Sequence, residues 1–299
     1  MAKKRTKVGF VGLGLMGAPM AECILKAGYP LAVWNRTAEK ADPLAAAGAT
    51  KAASPAAAAR GADFVVVMVA DDAALDSVLF GEEGLSRGMK RGGLLINCST
   101  TSPAMSFRAA TALRSLGVRY LEAPVMGSIA AAREGKLQIL VGGSSDDLTK
   151  DQPVLEALGK DIHYVGDVGK GATLKLAFNL MVAAMWQTFA EFFVLARKTG
   201  IPFETMMEVL HAGPLESPIY RAAEQAIVNP GGRPTFFLKH MHKDVNLATD
   251  LSRQLDLPMP LTSSVRQVLT AAKNLGRGDE DISALLDVMA NWSGVTLRG

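Results

Sequence analysis

Cysteine is scarce in this 299-residue sequence: Cys23 and Cys98 are the only two, and there are only four histidines. Neither cysteine belongs to a CxxC pair or stands at ligand spacing from a histidine. That argues against a disulfide framework and a structural zinc site, and predicts a reducing, cytoplasmic setting. Charge is modest as well. Charged residues make up 20% and the net charge is +3, too small a surplus to indicate nucleic acid or an anionic membrane as partner. The one basic run, Lys3, Lys4, Arg5 and Lys7, reads as a solvated arm. No uninterrupted apolar run reaches the ~18–20 residues that a membrane helix needs. The basic start followed by "VGFVGLGLMGAPMAECIL" imitates a signal peptide only superficially, because its glycines fall at strict spacing.

What is present is a globular composition, 49% hydrophobic, on a chain long enough for two domains. Lys7 to Val11 reads as a short buried strand, "GLGLMG" follows, and "MGAPMAECILKAG" reads as a helix ending at Gly28. "LAVWN" (Leu31 to Asn35) is then the next strand. In such a βαβ unit the GxGxxG spacing of Gly12, Gly14 and Gly17 is informative. Gly12 allows the tight turn, Gly14 the close approach of a pyrophosphate, and Gly17 the packing of helix on strand. Together with Leu15 and Met16, this turn is expected to hold the phosphates of a dinucleotide at a helix N-terminus. A turn that needs glycine for its own sake is the alternative.

The end of the second strand separates the two nicotinamide cofactors. NAD sites usually place a carboxylate there for the ribose 2′-hydroxyl. Here stand Asn35, Arg36 and Thr37, with no carboxylate before Glu39. A guanidinium can stack on adenine and pair with a 2′-phosphate, so NADP(H) is the expected cofactor. Thr37 can add a hydroxyl, or simply cap the following helix.

Further strand candidates are residues 64–70, 93–99, 119–125, 137–143 and 162–165, mostly separated by helical stretches. The fold class predicted is α/β: a Rossmann-type doubly wound parallel sheet over residues 1–168, followed by an all-helical domain over 169–299. A long helix from Gly171 to Thr199, about 43 Å at 1.5 Å per residue, joins the two. It is apolar all round, which predicts burial in the molecule or at a subunit contact.

From Gly171 to Trp186 that helix is nearly all apolar, yet it carries Lys175 and Asn179. Four residues apart, they share one face. An ammonium buried among apolar residues is costly unless it is paired or has chemistry to do. Beside a nicotinamide it could donate a proton to a carbonyl oxygen as hydride reaches the carbon, with desolvation easing proton exchange. Asn179 could orient the amine or bind a substrate hydroxyl. A lysine that snorkels or pairs with a carboxylate is the other reading.

The stretches "GFVGLGLMG", "VWNRT", "EAPV.G" and "GATLKLAFN" together resemble the β-hydroxyacid dehydrogenases, the group that includes 3-hydroxyisobutyrate dehydrogenase and glyoxylate/succinic semialdehyde reductases. The resemblance runs from Val8 to about Leu286. It implies that Lys175 is the general acid/base, supported by Asn179, and that Thr100 lies between cofactor and substrate. It implies further that Phe236 covers the nicotinamide side of the pocket and that Lys243 and Asp244 help hold the cofactor and the closed site. Val69 and Ala70, at a strand end, are expected to offer backbone contacts to the cofactor. His240 and His242 have no acidic or cysteine partner at ligand spacing, so no metal is expected. The family's members are commonly dimers or tetramers joined through the helical domain, which predicts the same here.

The substrate loop departs from the family pattern. It reads Glu122, Ala123, Pro124, Val125, Met126, Gly127, Ser128, with Met126 where a serine usually helps hold a substrate carboxylate. Amide groups near Gly127, and Ser128, are left as anion contacts. The thioether suits a larger or less polar substrate. Two alternatives to a reductase of small aldehydes or keto acids follow. One is an imine reductase-like enzyme, although those resembling this family generally lack the lysine. The other is a non-catalytic NADP-binding scaffold or sensor, which would not be expected to keep Lys175, Asn179 and Asp244.

Overall fold

Short runs rich in valine, leucine and isoleucine, buried on both faces, form a sheet in which successive strands are joined through helices, as continuous apolar strands require. In the computed structural model, which describes residues 6–297, nine strands make up this sheet among the described residues. They are β1 (Val8–Val11), β2 (Leu31–Trp34), β3 (Thr50–Lys51), β4 (Phe64–Val67), β5 (Leu94–Asn97), β6 (Arg119–Glu122), β7 (Val125–Met126), β8 (Leu137–Gly143) and β9 (Gly159–Gly166). The expected basic arm at Lys3, Lys4 and Arg5 lies outside the described residues. Lys7 is inside them, its amide donating to Asp63 at 2.9 Å.

The order is β3-β2-β1-β4-β5-β6-β8-β7, with β9 on β8. From β3 to β6 all pairings are parallel, and the strand order reverses between β1 and β4. This is the Rossmann arrangement, whose crevice opens at the carboxyl ends of the strands flanking that reversal. Phe10, Val33, Val66 and Ile96 fill one face, and Val11, Val65, Val67 and Leu95 the other.

The sheet is not wholly parallel. β8 runs antiparallel to both β6 and β7 and parallel to β9. The single strand expected over residues 119–125 is two strands, because Pro124 has no N–H to continue the ladder. Its carbonyl instead accepts from Leu140 at 3.0 Å. The strands expected over 64–70 and 93–99 stop at Val67 and Asn97. One more parallel bond follows each, from the Met68 amide to Val11 and from the Cys98 amide to Val67, before the chain turns away as loop.

The chain divides into two compact units, Met1–Lys175 and Leu176–Gly299. The long helix spans Lys170–Lys198, 29 residues, so the division falls inside it. In the second unit Trp186, Phe189, Ala190, Phe193 and Val194 of this helix build the core with Met206, Met207, Met241, Val245, Leu269 and Leu285. By length and composition the helix could cross a membrane; its Trp186, Phe189 and Phe193 line a protein core. The helices Phe203–Ala212, Pro218–Val228, Leu238–Gln254, Pro260–Asn274 and Ala284–Ser293 complete the unit. The fourth of the six begins at Leu238, so "LKHMH" is helix and Lys243 and Asp244 lie in its second turn.

The tightest contact in the first unit is between backbones. Gly12 has φ +98°, and a side-chain carbon on it would collide with the Met68 carbonyl; one on Gly17 would land on the carbonyl oxygen of Gly12. Gly17→Ala is therefore expected to lower stability by about 1–3 kcal/mol, the usual cost of overpacking. Urea unfolding followed by far-UV circular dichroism, beside wild type, checks it.

Candidate active site

The glycine turn supplies its own case for a ligand. A Cβ on Gly14 would meet nothing within 4 Å, so no protein neighbour there demands glycine, unlike at Gly12 and Gly17. The helix that follows, Gly17–Lys26, has no side-chain cap on its N-terminus and no acidic residue in its first turn. Uncapped amides at a helix start need an acceptor and carry partial positive charge. Leu15 is exposed and Met16 half-buried beside them. An open approach over Gly14 and an uncapped helix start together fit a pyrophosphate.

Asn35 ties this turn to the end of β2. Its Oδ1 accepts from the Leu13 amide at 2.8 Å, and its Nδ2 donates to the Thr37 carbonyl at 2.9 Å. Arg36 and Thr37 are exposed. Thr37 makes no capping hydrogen bond to the 3-10 turn Ala38–Ala41, so its hydroxyl is not committed to the role of helix cap. A cavity of about 390 Å³ opens here, and Asn35, Arg36, Ala38 and Lys51 are among its lining residues. Lys51 is paired with Asp42.

Along the strand ends of the same unit stand the other residues expected to meet a ligand. The Val69 amide is engaged by Ser99 Oγ at 2.9 Å, which leaves the Val69 carbonyl and the exposed Ala70 for a cofactor. Thr100 is half-buried between β5 and the helix Pro103–Ser115. Met126 is half-buried in β7, paired with Gln138. Gly127 is exposed with φ +137°, and a Cβ on it would crowd Leu137 and Ala131. Ser128 caps the helix Ile129–Arg133, its Oγ accepting from Ala131 at 3.2 Å. That bond uses the oxygen and leaves the hydroxyl hydrogen able to meet an anion.

Lys175 is half-buried in the second turn of the long helix, at the end of this first unit. In the second unit Asn179, Lys243 and Asp244 come together. Asp244, 2% exposed, accepts from Asn179 Nδ2 at 2.6 Å and pairs with Lys243 Nζ at 2.7 Å. A carboxylate so deeply buried needs such partners, and Asn179 is thereby fixed by Asp244. His242 turns to Thr270 at 3.0 Å. Among the described residues no three His, Cys, Asp or Glu side chains are grouped to hold a metal.

The two halves of the chain match two known families. Residues 7–166 fit the NAD binding domain of 6-phosphogluconate dehydrogenase, and residues 169–289 fit the family described as NAD-binding of NADP-dependent 3-hydroxyisobutyrate dehydrogenase. Glyoxylate/succinic semialdehyde reductase 2, chloroplastic, of Arabidopsis thaliana is 34% identical over 94% of this chain and 79% of its own length. The chain belongs to the β-hydroxyacid dehydrogenase family. Among solved structures, 3-hydroxyisobutyrate dehydrogenase from Salmonella typhimurium superposes with a TM-score of 0.88 at 32% identity, covering 95% of this chain and 99% of that one. An imine reductase from Myxococcus stipitatus in complex with NADP+ superposes less closely, with a TM-score of 0.64 at 26% identity and the same coverage.

As a member of this family the protein is an oxidoreductase that acts on CH–OH groups with a nicotinamide cofactor. Sequence reasoning passed over two acids that support expected site residues. The sequence pattern presents Glu122 only as the start of the substrate loop and gives Asp281 no distinction. Asp281 holds the turn that bears Phe236. Its Oδ2 accepts from the Thr235 amide at 2.7 Å, the Thr235 hydroxyl at 2.8 Å and the Phe236 amide at 3.1 Å, and its Oδ1 from Ser283 at 3.0 Å. Nothing local announces such a residue, which lies 45 positions from Phe236.

Burial by itself would raise the Asp281 pKa, but the amides of Ser283, Thr235 and Phe236 and the Thr235 hydroxyl outweigh it and hold it below the usual 3.8. A depressed carboxylate stabilises the fold fully above its unfolded-state pKa and loses that contribution as pH falls through the folded value. Asp281→Asn should therefore cost about 1.5–3 kcal/mol near neutral pH, the range for hydrogen bonds to a charged group. The gap from wild type should close below pH 3.8. Thermal melts of both proteins from neutral to acid pH measure it.

Proposed function

We propose that the protein reduces a small aldehyde or keto acid, of the semialdehyde or glyoxylate type, to the hydroxyacid, reversibly and with NADPH. The observation that carries this reading is Lys175, an ammonium group on the mostly apolar first turns of the long helix, in the unit that also holds the glycine turn. The kinship with a glyoxylate/succinic semialdehyde reductase and a 3-hydroxyisobutyrate dehydrogenase supports the substrate class.

The glycine turn from Gly12 to Gly17 and the Gly17–Lys26 helix start would hold the pyrophosphate. Arg36 and Thr37 would take the 2′-phosphate, and the strand ends at Val69, Ala70 and Thr100 the nicotinamide half. Two cations and no carboxylate stand among the residues lining the cavity at the end of β2, which favours NADPH over NADH. When bound, NADPH supplies hydride to the carbonyl carbon. Lys175 Nζ gives its proton to the carbonyl oxygen as negative charge develops there, and takes it back in the reverse direction. Asn179 and Lys243, through Asp244, keep a defined polar cluster on the second unit, with Phe236 on its anchored turn. Gly127 and Ser128 offer N–H and O–H groups to a substrate carboxylate.

Met126 favours a second reading, in which the substrate is a less polar C=O or C=N compound. A thioether cannot donate the hydrogen bond that a serine would give a carboxylate, a loss of about 1.5–3 kcal/mol. We also read the protein as a homodimer or homotetramer through the helical domain. Met181 (62% exposed), Phe192 and Leu195 (69%) present an apolar stripe along the long helix, the kind of surface that association covers.

The decisive test follows NADPH absorbance with glyoxylate, succinic semialdehyde, an uncharged aldehyde and a cyclic imine, with NADH in parallel. The semialdehyde is expected to turn over, and Lys175→Ala to lower kcat by about 100-fold or more. Arg36→Ala should weaken NADPH binding and leave NADH binding nearly unchanged. Turnover confined to the uncharged compounds would establish the Met126 reading instead, and Met126→Ser should then restore carboxylate use. NADPH binding with no turnover of any compound in a widened panel would favour a scaffold or sensor.

A further inference from the structure

Glu122 ends β6 at the mouth of the substrate loop, and it is only 1% exposed. Its Oε1 accepts from the Gly171 amide at 2.6 Å and the Ala172 amide at 3.2 Å. These amides belong to the first turn of the helix Lys170–Lys198, where backbone N–H groups have no partner within the helix. The fit depends on two missing side chains. A Cβ on Gly142 in β8 would collide with Glu122 Oε1, and one on Gly171 would stand 2.7 Å from the Leu140 carbonyl oxygen and 3.1 Å from Oε1. Strand β8 and the helix thus close on the carboxylate with backbone alone.

Burial is the largest influence on this carboxyl and raises its pKa; the Ser106 hydroxyl and the amides of Ala172, Gly171 and Gly169 oppose it. A buried polar chain leads to the same place. The Val69 amide donates to Ser99, the Ser99 amide to Asn97, Asn97 Nδ2 to Tyr120 Oη, and Tyr120 Oη to Ser106. Lys175 lies four residues beyond Gly171, one helical turn away on the same face. A shift of the first turn is therefore a shift of Lys175.

We infer that Glu122 is the positioning residue for the acid/base lysine, clamping the first turn of the long helix to the end of β6 and so setting where the Lys175 ammonium stands beside the substrate loop. This rests on the reading of Lys175 as the proton donor. Glu122 itself exchanges no proton with the substrate. Its effect falls on kcat, because displacing a reacting group by about 1 Å is enough to cost on the order of 100-fold.

The test compares Glu122→Ala and Glu122→Gln with wild type and Lys175→Ala, using hydrogen–deuterium exchange, NADPH binding and turnover well below the melting temperature. In Glu122→Ala, amides in residues 169–176 should exchange about tenfold faster or more as local opening becomes easier. Its kcat should fall by about tenfold or more while the NADPH Kd stays within about twofold. The deuterium isotope effect from labelled NADPH should rise as the chemical step slows. Glu122→Gln keeps an oxygen that can accept both N–H groups, and should restore both protection and kcat, a rescue that loss of fold stability alone would not give.

If Glu122→Ala does not fold, Glu122→Asp, with its carboxylate drawn back by one methylene, carries the same comparison. Wild-type exchange over 169–176 in a folded variant would overturn the clamp, and faster exchange with unchanged kcat would overturn its link to Lys175. If Lys175→Ala retains full turnover, the proton-donor reading fails, and with it the effect of Glu122 on turnover; the exchange measurement then reports on the clamp alone.

Discussion

The architecture of the first unit depends on a contact with no side chains in it. The helix Gly17–Lys26 starts with its backbone against the Gly12 carbonyl, and Gly12 in turn lies against the Met68 carbonyl at the end of β4. Any Cβ at those two positions would push the helix off the sheet just where the strand order reverses. The same closeness brings the helix start to the carboxyl ends of β1 and β4 with no side chain capping it. One steric constraint thus produces both the packing of the unit and the place where an anion can be received.

Around that frame the acids Asp244, Asp281 and Glu122 each have a defined partner for at least one oxygen. Asp244 is held between Asn179 and Lys243, Asp281 gathers the amides of the Phe236 turn, and Glu122 meets the first amides of the long helix. In a low-dielectric interior such groups are stable only in one geometry, since a displaced carboxylate would face apolar surroundings unpaired. They are therefore well suited to hold functional side chains at fixed positions. Lys175 differs from them in carrying its charge on a long, flexible stem.

The loop after β6 shows how a single side chain can change the chemistry of a surface without altering the fold. Met126 occupies a β7 position whose pairing with β8 is a backbone matter, so serine and methionine serve the strand equally well. What changes is the chemistry offered to a ligand: a polarisable apolar group in place of a donor. Ser128, whose oxygen already accepts from Ala131, has one hydrogen left to give.

Much of this was legible in local patterns. The glycine spacing, the valine-rich strands, the apolar 29-residue helix and the i, i+4 placement of Lys175 and Asn179 all follow from periods of two to four residues, which sequence displays directly. Tertiary structure alone decided the rest. Nothing in residues 119–143 reveals that β8 turns antiparallel, since strand direction is set by what packs on the sheet and by the break at Pro124. Asn179 reads as a partner for Lys175 because they are four residues apart, yet its amide goes to Asp244, 65 residues away. Glu122 reads as the first letter of a loop motif, and its burden is a helix turn 49 residues further on. Sequence by itself determined which segments are strands and helices and where chemistry-bearing residues stand on them. Which polar group answers which was left to long-range packing, because a hydrogen bond between distant residues leaves no period in the chain.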